Sequence, residues 1–287
     1  MSTAGPPQGE KAPSGGSAAG LPASVRAILW PVEAIREAVA PLLPGFTVEV
    51  LPQIGSTNTE LMRRARAGRT EPVLLLAEQQ TAGRGRLGRD WHSGVGDSLT
   101  FSLGLSLAPA DWSGLSLVVG VSLAESLEPR IRIKWPNDLW LEDRKLAGIL
   151  IETATPAIPA QPALLSAPGA RYAVIGVGIN IAARGAAGLA TAPAWLQELL
   201  PGVDAGQALL RVAAPLVQAV QAFEPFGFAP FQARFNARDA LRDRPVVLSD
   251  GTAGTAHGTS ENGALLVHTS NGMKPVTSAE VSVRPGT

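Results

Sequence analysis

From residue 31 onward the apolar positions fall into two spacings, one helical and one alternating. Behind Pro31, the residues Val32, Ile35, Val39 and Leu42 recur at helical intervals and predict a short amphipathic helix. Phe46 to Val50, FTVEV, alternates like a half-buried strand. GSTNTELMRRARAG opens on hydroxyl side chains suited to a cap at Ser56 or Thr57 and closes at Gly68, which predicts a second helix. VLLLAEQQ and SLTFSLGLSL predict strands on either side of a glycine- and arginine-rich loop. Trp112 to Leu127 reads as a buried core helix, IRIKW as a strand, NDLWLEDRKLAGILIET as a hairpin turning near Glu142 to Arg144, and YAVIGVGINI as a further strand.

Residues 205 to 240 predict two helices. From Arg244 on, short alternating runs are separated by DG, NG and NG turns, the composition of a small antiparallel barrel. ATPAIPAQPALLSAPGA, residues 154 to 170, lacks useful periodicity and reads as an insertion or mobile loop. The opening residues are small and rich in Pro and Gly, without the apolar run of a signal peptide or anchor, so a disordered tail is expected over 1–22. Helices and strands mix without regular βαβ alternation, favouring an α+β fold over a doubly wound sheet. The expected division is a tail at 1–22, a large domain at 23–240 and a small β domain at 241–287.

Composition narrows the chemistry. Of 287 residues 45% are hydrophobic, enough for a large core. Lysine plus arginine equals aspartate plus glutamate at 24 each, so no overall field gathers nucleic acid or an anionic membrane, and any basic site must be local. The absence of cysteine excludes disulfides, thiolate metal sites and a cysteine nucleophile. Only Lys11, Lys134, Lys145 and Lys274 are lysines in a chain that otherwise uses arginine. Each raises the question of why a compact point charge is needed there.

Gln80 to Trp91, QTAGRGRLGRDW, fits the dinucleotide fingerprint G-x-G-x-x-G at Gly83, Gly85 and Gly88. That fingerprint requires a helix opening at its third glycine, and RDWHSGVGD cannot supply one. No HRD or DFG accompanies it, which removes a kinase loop, and it is neither repeated nor isolated from strands as an RGG segment would be. Two readings stand: a surface turn with solvated arginines, or an ordered loop whose amides and Arg84, Arg86 and Arg89 meet a phosphate or carboxylate. The density of arginine weighs toward the anion site.

KWPNDL, Lys134 to Leu139, gathers a cation, an amide and a carboxylate where Pro136 stops a strand and Asn137-Asp138 turns it; a plain strand-end turn is the alternative. Lys145, in the apolar run DRKLAGIL, needs a partner unless it snorkels at an edge. Gly176 and Gly178 sit at alternate positions of VIGVGINI, marking a bulge, a close neighbour or a ligand against bare backbone. Capping alone accounts for Ser56, Thr57 and Asn58. GVSLA lies in a predicted helix and is no nucleophile elbow, and His92, His257 and His268 lack metal spacing.

In their order, GRGRLGR, KWPNDL, DRKLAGILIE and VIGVGIN resemble the biotin protein ligases, over about residues 46 to 284. The resemblance implies a catalytic domain related to class II aminoacyl-tRNA synthetases and an Src-homology-3-like barrel. It implies attack of biotin on the α-phosphate of ATP with Mg2+, giving biotinyl-5'-AMP, then transfer to the acceptor lysine of a biotin carboxyl carrier protein domain such as that of acetyl-CoA carboxylase. By motif position it puts Ser56, Thr57, Asn58 and Gln80 around the ureido head. Gly83, Arg84, Gly85 and Arg86 would close over the tail and phosphate, with Lys145 between carboxylate and α-phosphate and Gly148, Gly176 and Gly178 lining the slot. Arg84, Arg86, Arg89, Trp91, Lys134, Asn137, Asp138 and Asn180 fall on the nucleotide side; Asp138 would orient metal or the incoming amine, and no motif supplies a direct metal ligand set. A monofunctional cytoplasmic enzyme is expected, without the N-terminal helix-turn-helix of some relatives, without specific nucleic-acid or membrane partners, and with homodimerisation left open. The lipoate ligases and octanoyltransferases of related fold are the alternative; the transferases depend on a cysteine that is absent here.

Overall fold

The computed structural model describes residue 1 and residues 28–155, 169–184, 191–277 and 283–285. Nearly all of the expected tail and most of the 154–170 insertion lie outside these residues. The larger unit is built on a seven-stranded sheet of β1 (Thr47–Ile54), β2 (Val73–Gln80), β3 (Ser98–Leu107), β4 (Arg132–Lys134), β5 (Asp138–Leu141), β6 (Arg144–Ala154) and β7 (Arg171–Asn180). Their order is β1-β2-β3-β7-β6-β5-β4, with β1 and β2 parallel and every other pair antiparallel. The parallel pair is joined by α2 (Thr57–Arg66), the crossover that such pairing requires.

Strands β3 and β7 pair over ten residues each and show why the sheet has two different faces. Alternate residues Leu99, Phe101, Leu103 and Leu105 of β3, and Ala173, Ile175, Val177 and Ile179 of β7, enter the main core. That core is closed by α1 (Val32–Val39), α3 (Leu115–Leu127) and α4 (Ala205–Phe226). The intervening residues are Ser98, Thr100, Ser102 and Gly104 on β3, and Tyr172, Val174, Gly176, Gly178 and Asn180 on β7. On that second face α2 packs Leu61, Met62 and Ala65 against Leu75, Tyr172 and Val174. The strip of small and polar residues beyond is left for other use.

Two boundaries differ from expectation for backbone reasons. Helix α3 begins at Leu115, because Gly114 holds the left-handed φ of 83° and ends the preceding turn. The KWPNDL turn consists of Trp135 to Asn137, so that Asp138 already belongs to β5 and stands opposite Lys134. The β5–β6 hairpin turns through Glu142 and Asp143, both at positive φ.

After α5 (Gln232–Arg238) come β8 (Pro245–Leu248), β9 (Ala253–Thr259), β10 (Leu265–Thr269), β11 (Gly272–Val276) and β12 (Val283–Pro285). They form an antiparallel sheet in the order β11-β10-β9-β8-β12. Among the described residues no ladder joins β11 to β12, and the expected small antiparallel β domain is observed in these five strands. It packs against the KWPNDL turn: the buried Trp135 donates from Nε1 to Gly263 O at 3.1 Å.

Candidate active site

The second face of the sheet carries a cleft of about 910 Å³, counting its open mouth. Its floor follows from strand register. Asp138 pairs with Gly148, Gly148 with Gly178, and Gly178 with Thr100, so one row of residues crosses four strands. The next row runs Leu150, Gly176, Ser102. Glycines at 148, 176 and 178 remove the side chains that would fill this space. Their neighbours show what takes it instead: a Cβ on Gly178 would lie 2.3 Å from the Trp91 ring, and one on Gly176 would lie 2.1 Å from Asn58 Oδ1.

The arginine loop folds over one side of the floor. Trp91 N donates to Gly83 O at 2.9 Å and Gly85 N to Arg89 O at 2.7 Å, closing residues 83–91 into a tight hairpin. Gly83 is required by that closure, since a Cβ there would meet the Trp91 carbonyl at 2.3 Å; it is buried in the loop rather than on the cleft wall. A single 3-10 turn at Arg86–Gly88 stands where a dinucleotide fold would open an α-helix. Arg84, Gly85, Arg86, Arg89 and Trp91 all reach the wall.

Opposite the loop, Lys145 Nζ lies 2.7 Å from Asp138 Oδ1 and 5.9 Å above the Trp91 ring. Lys134 stands over Trp140 at 5.3 Å. Burial pushes the Lys134 ammonium below the usual lysine value; Asp138 opposes this, and Lys145, Arg89 and Arg86 add to it. Burial likewise lowers the Arg86 guanidinium, again against Asp138. Four cations, Lys134, Lys145, Arg86 and Arg89, are thus arranged around one carboxylate, an arrangement that a polyanion would relieve. Asn137 Nδ2 donates to Ile149 O at 2.8 Å, and Ile149 N returns a bond to Asn137 O at 2.9 Å, fixing the turn to β6.

The other end of the cleft is polar and uncharged. Ser56 caps α2, accepting from Thr59 N, and this brings Thr57 under Gln80, whose Oε1 accepts from Thr57 N at 2.7 Å. Asn58 and Asn180 are buried off the wall. Asn58 donates from Nδ2 to Leu150 O and to Glu152, while Asn180 donates to Lys145 O at 3.1 Å and accepts from Arg184 at 3.3 Å. Three groups were missed by motif reading. Ser102 lies 2.6 Å from Asn58 Oδ1, Glu152 reaches both Asn58 and Arg84, and Asp90 lines the loop side. The first two had a signal: Ser98, Thr100 and Ser102 alternate, and Glu152 stands four residues from Gly148 on the same strand face. Among the described residues no three His, Asp or Glu side chains gather as a metal site.

Residues 50–164 match the model of the biotin/lipoate A/B protein ligase family, and residues 245–284 the biotin protein ligase C-terminal domain. The chain is 38% identical over 254 residues to the bifunctional ligase/repressor BirA of Escherichia coli, covering 84% of this chain and 75% of BirA. It is 33% identical to the biotin--[acetyl-CoA-carboxylase] ligase of Paracoccus denitrificans, covering 81% of this chain and 98% of that enzyme. The structure of the Aquifex aeolicus biotin protein ligase in complex with biotin and ATP superposes with a TM-score of 0.68 at 28% identity, covering 83% of this chain and 99% of that one. With a ligase catalytic domain, a C-terminal β domain and relatives matched over most of their length, the chain belongs to the biotin protein ligase family of enzymes.

Proposed function

We propose that the chain ligates biotin to the acceptor lysine of a biotin carboxyl carrier domain by way of biotinyl-5'-AMP. The observation that carries this reading is the division of one cleft into a neutral polar end at Ser56, Thr57 and Gln80 and a cationic end at Arg86, Lys134 and Lys145. A ureido ring needs neutral donors and acceptors, and a mixed anhydride forming between carboxylate and phosphate needs fixed cations. In the first step a biotin carboxylate oxygen attacks the α-phosphorus of ATP, the bond to the bridging oxygen breaks and pyrophosphate leaves. Lys145 stands between the two anions and Arg86 closes over the product. In the second step the acceptor amine attacks the acyl carbon, loses a proton and displaces AMP.

Asp138 serves either the incoming amine or the cation that accompanies ATP. The donor set fits Mg2+ brought by the nucleotide, which keeps its own waters and phosphates and needs only one or two carboxylates from the protein. When bound, that ion neutralises the departing pyrophosphate. Asn58 and Asn180 act from behind the wall, through Asn58's network and the Lys145 backbone.

The catalytic domain, residues 23–240, is read as class II synthetase-like and the remainder, 241–287, as an Src-homology-3-like barrel; the passage from α5 to β8 supports the boundary. A purely catalytic role is supported by the 98% coverage of the Paracoccus ligase. No helix of the described residues is long and apolar enough to cross a membrane. The expected setting is the cytoplasm, with a homodimer as one assembly to be tested.

Incubation with ATP, biotin and pyrophosphatase, with and without a carrier domain, tests the reading. Biotin should drive phosphate release and label the carrier; release driven by lipoate instead would replace this reading with the lipoate ligase alternative.

A further inference from the structure

Behind the neutral end of the cleft a chain of buried hydrogen bonds has only one consistent direction. Asn58 Nδ2 faces two acceptors, Leu150 O at 3.2 Å and Glu152 Oε2 at 3.0 Å, so the nitrogen and oxygen of this amide cannot be exchanged. Asn58 Oδ1 must therefore accept, and the Ser102 hydroxyl, 2.6 Å away, donates its single proton there. Ser102 Oγ also lies 2.7 Å from Thr57 Oγ1. With its own proton spent, Ser102 accepts there, and Thr57 donates. Gln80 Oε1, 3.1 Å from Thr57 Oγ1, already accepts from Thr57 N at 2.7 Å and does not need that proton. Asn58 is 4% exposed and Ser102 0%, so water does not scramble the order. Gly176 belongs to the same device, because any side chain there would displace Asn58 Oδ1.

We infer that Leu150 O and Glu152, acting through Asn58 and Ser102, fix the Thr57 hydroxyl as a hydrogen-bond acceptor toward the ligand, and so make the cleft select a ligand N–H at that point. Glu152 and Ser102 are positioning residues; neither lines the cleft. Leu150 O and the Glu152 carboxylate both face the amide as acceptors, and together they set its direction. This inference rests on the biotin reading, in which the N–H belongs to the ureido ring.

The test uses two isosteric biotin analogues, cyclic carbamates in which one or the other ureido N–H is replaced by a ring oxygen. Replacement opposite Thr57 sets acceptor against acceptor. Titration calorimetry on the wild-type chain should show at least one carbamate binding about thirtyfold or more weakly than biotin, the scale of a buried polar group left unpaired. In Ser102→Ala the Thr57 proton is released and can turn to the ring oxygen, so the gap for one carbamate should shrink to about threefold or less. Glu152→Gln should narrow the gap less, because Leu150 O still accepts from Asn58 Nδ2 and holds the amide in its direction. A melting curve establishes that each variant is folded, and Ser102→Ala, the smaller change, also leaves the 3.5 Å Arg84–Glu152 pair in place. Undiminished discrimination in Ser102→Ala, or a folded Glu152→Gln that loses more of it than Ser102→Ala does, overturns the relay, as does a wild-type chain that binds biotin and both carbamates alike. A wild-type chain that binds no biotin overturns the functional reading itself.

Discussion

The indole of Trp91 rests on the bare α-carbon of Gly178, closer than any side chain at that position would permit: a Cβ would stand 2.3 Å from Cε2, 2.5 Å from Cζ2 and 2.7 Å from Nε1. The arginine loop thus has its anchor on the cleft floor, on a strand glycine that is not at positive φ. Gly178→Ala should spare the fold and dislodge the loop. Alanine relieves the entropy cost of a strand glycine, and the indole can move toward solvent. The melting temperature is expected to change by no more than a few degrees while biotin-dependent pyrophosphate release falls about tenfold or more. A large loss of melting temperature with activity retained per folded molecule would show that Gly178 serves packing alone.

Asp239 makes a second prediction, on stability. This carboxylate follows α5, is 5% exposed, and accepts from Leu241 N through Oδ1, while Oδ2 has no hydrogen-bond partner among the described residues. Burial pushes its pKa up to about 6, against the pull of Leu241 N and of Arg242 and Arg132. The folded state therefore holds the proton more tightly than the unfolded chain does. The associated stability is fully present below the ordinary carboxylate value and is lost as pH rises through about 6. Asp239→Asn keeps the acceptor and cannot ionise. It should melt above the wild type at pH 8, by an amount corresponding to about 3 kcal/mol, and converge with it below pH 4. An unchanging offset across that range would mean that the carboxylate does not titrate as burial demands.

Much of this was legible in the chain because alternation and turn residues act locally. The β3 and β7 runs, the Ser56 cap and the DG and NG turns each specify their own element. The cleft residues were legible for a different reason: arginine beside glycine and lysine in an arginine-using chain both run against what packing alone would select. Register was not legible. That Gly148 meets Gly178, or that Asn58 stands over Gly176, depends on pairing between segments far apart in sequence. Hence Gly176, expected to line a slot for ligand, also makes room for an asparagine, and Ser102 and Glu152 escaped notice although their strand positions already placed them on the second face.

Charge distribution supplies a third prediction. The formal net charge is zero, and the loop arginines Arg84, Arg86 and Arg89 line the cleft. Sequence-specific binding to a biotin operon operator should be absent, with affinity no greater than for random DNA at physiological salt. A gel-shift titration that resolves a specific complex would assign the chain a repressor role like that named for the Escherichia coli relative.

The last prediction separates Lys145 from Arg86. Lys145 is held from two sides, by Asp138 at 2.7 Å and through its backbone by Asn180, whose Nδ2 donates to Lys145 O at 3.1 Å; its ammonium is a fixed charge on a rigid strand. Arg86 belongs to a hairpin closed mainly on itself. A fixed charge between carboxylate and α-phosphate contributes most when negative charge shifts between them, so its loss lowers the rate of the first step. A loop residue contributes by retaining the product, so its loss raises the escape of adenylate. Lys145→Ala should reduce biotin-dependent pyrophosphate release about a hundredfold or more, the scale of removing one preorganised transition-state donor. Arg86→Gly should continue to form adenylate and release it, so that exposed lysines of a bystander such as albumin become biotinylated in the absence of a carrier domain. Both variants would be assayed by pyrophosphate release and by avidin blotting, with and without the carrier. If Arg86→Gly forms no adenylate, or Lys145→Ala is the variant that leaks, the chemical step depends on the loop and retention on the hairpin, the reverse of what their anchoring requires.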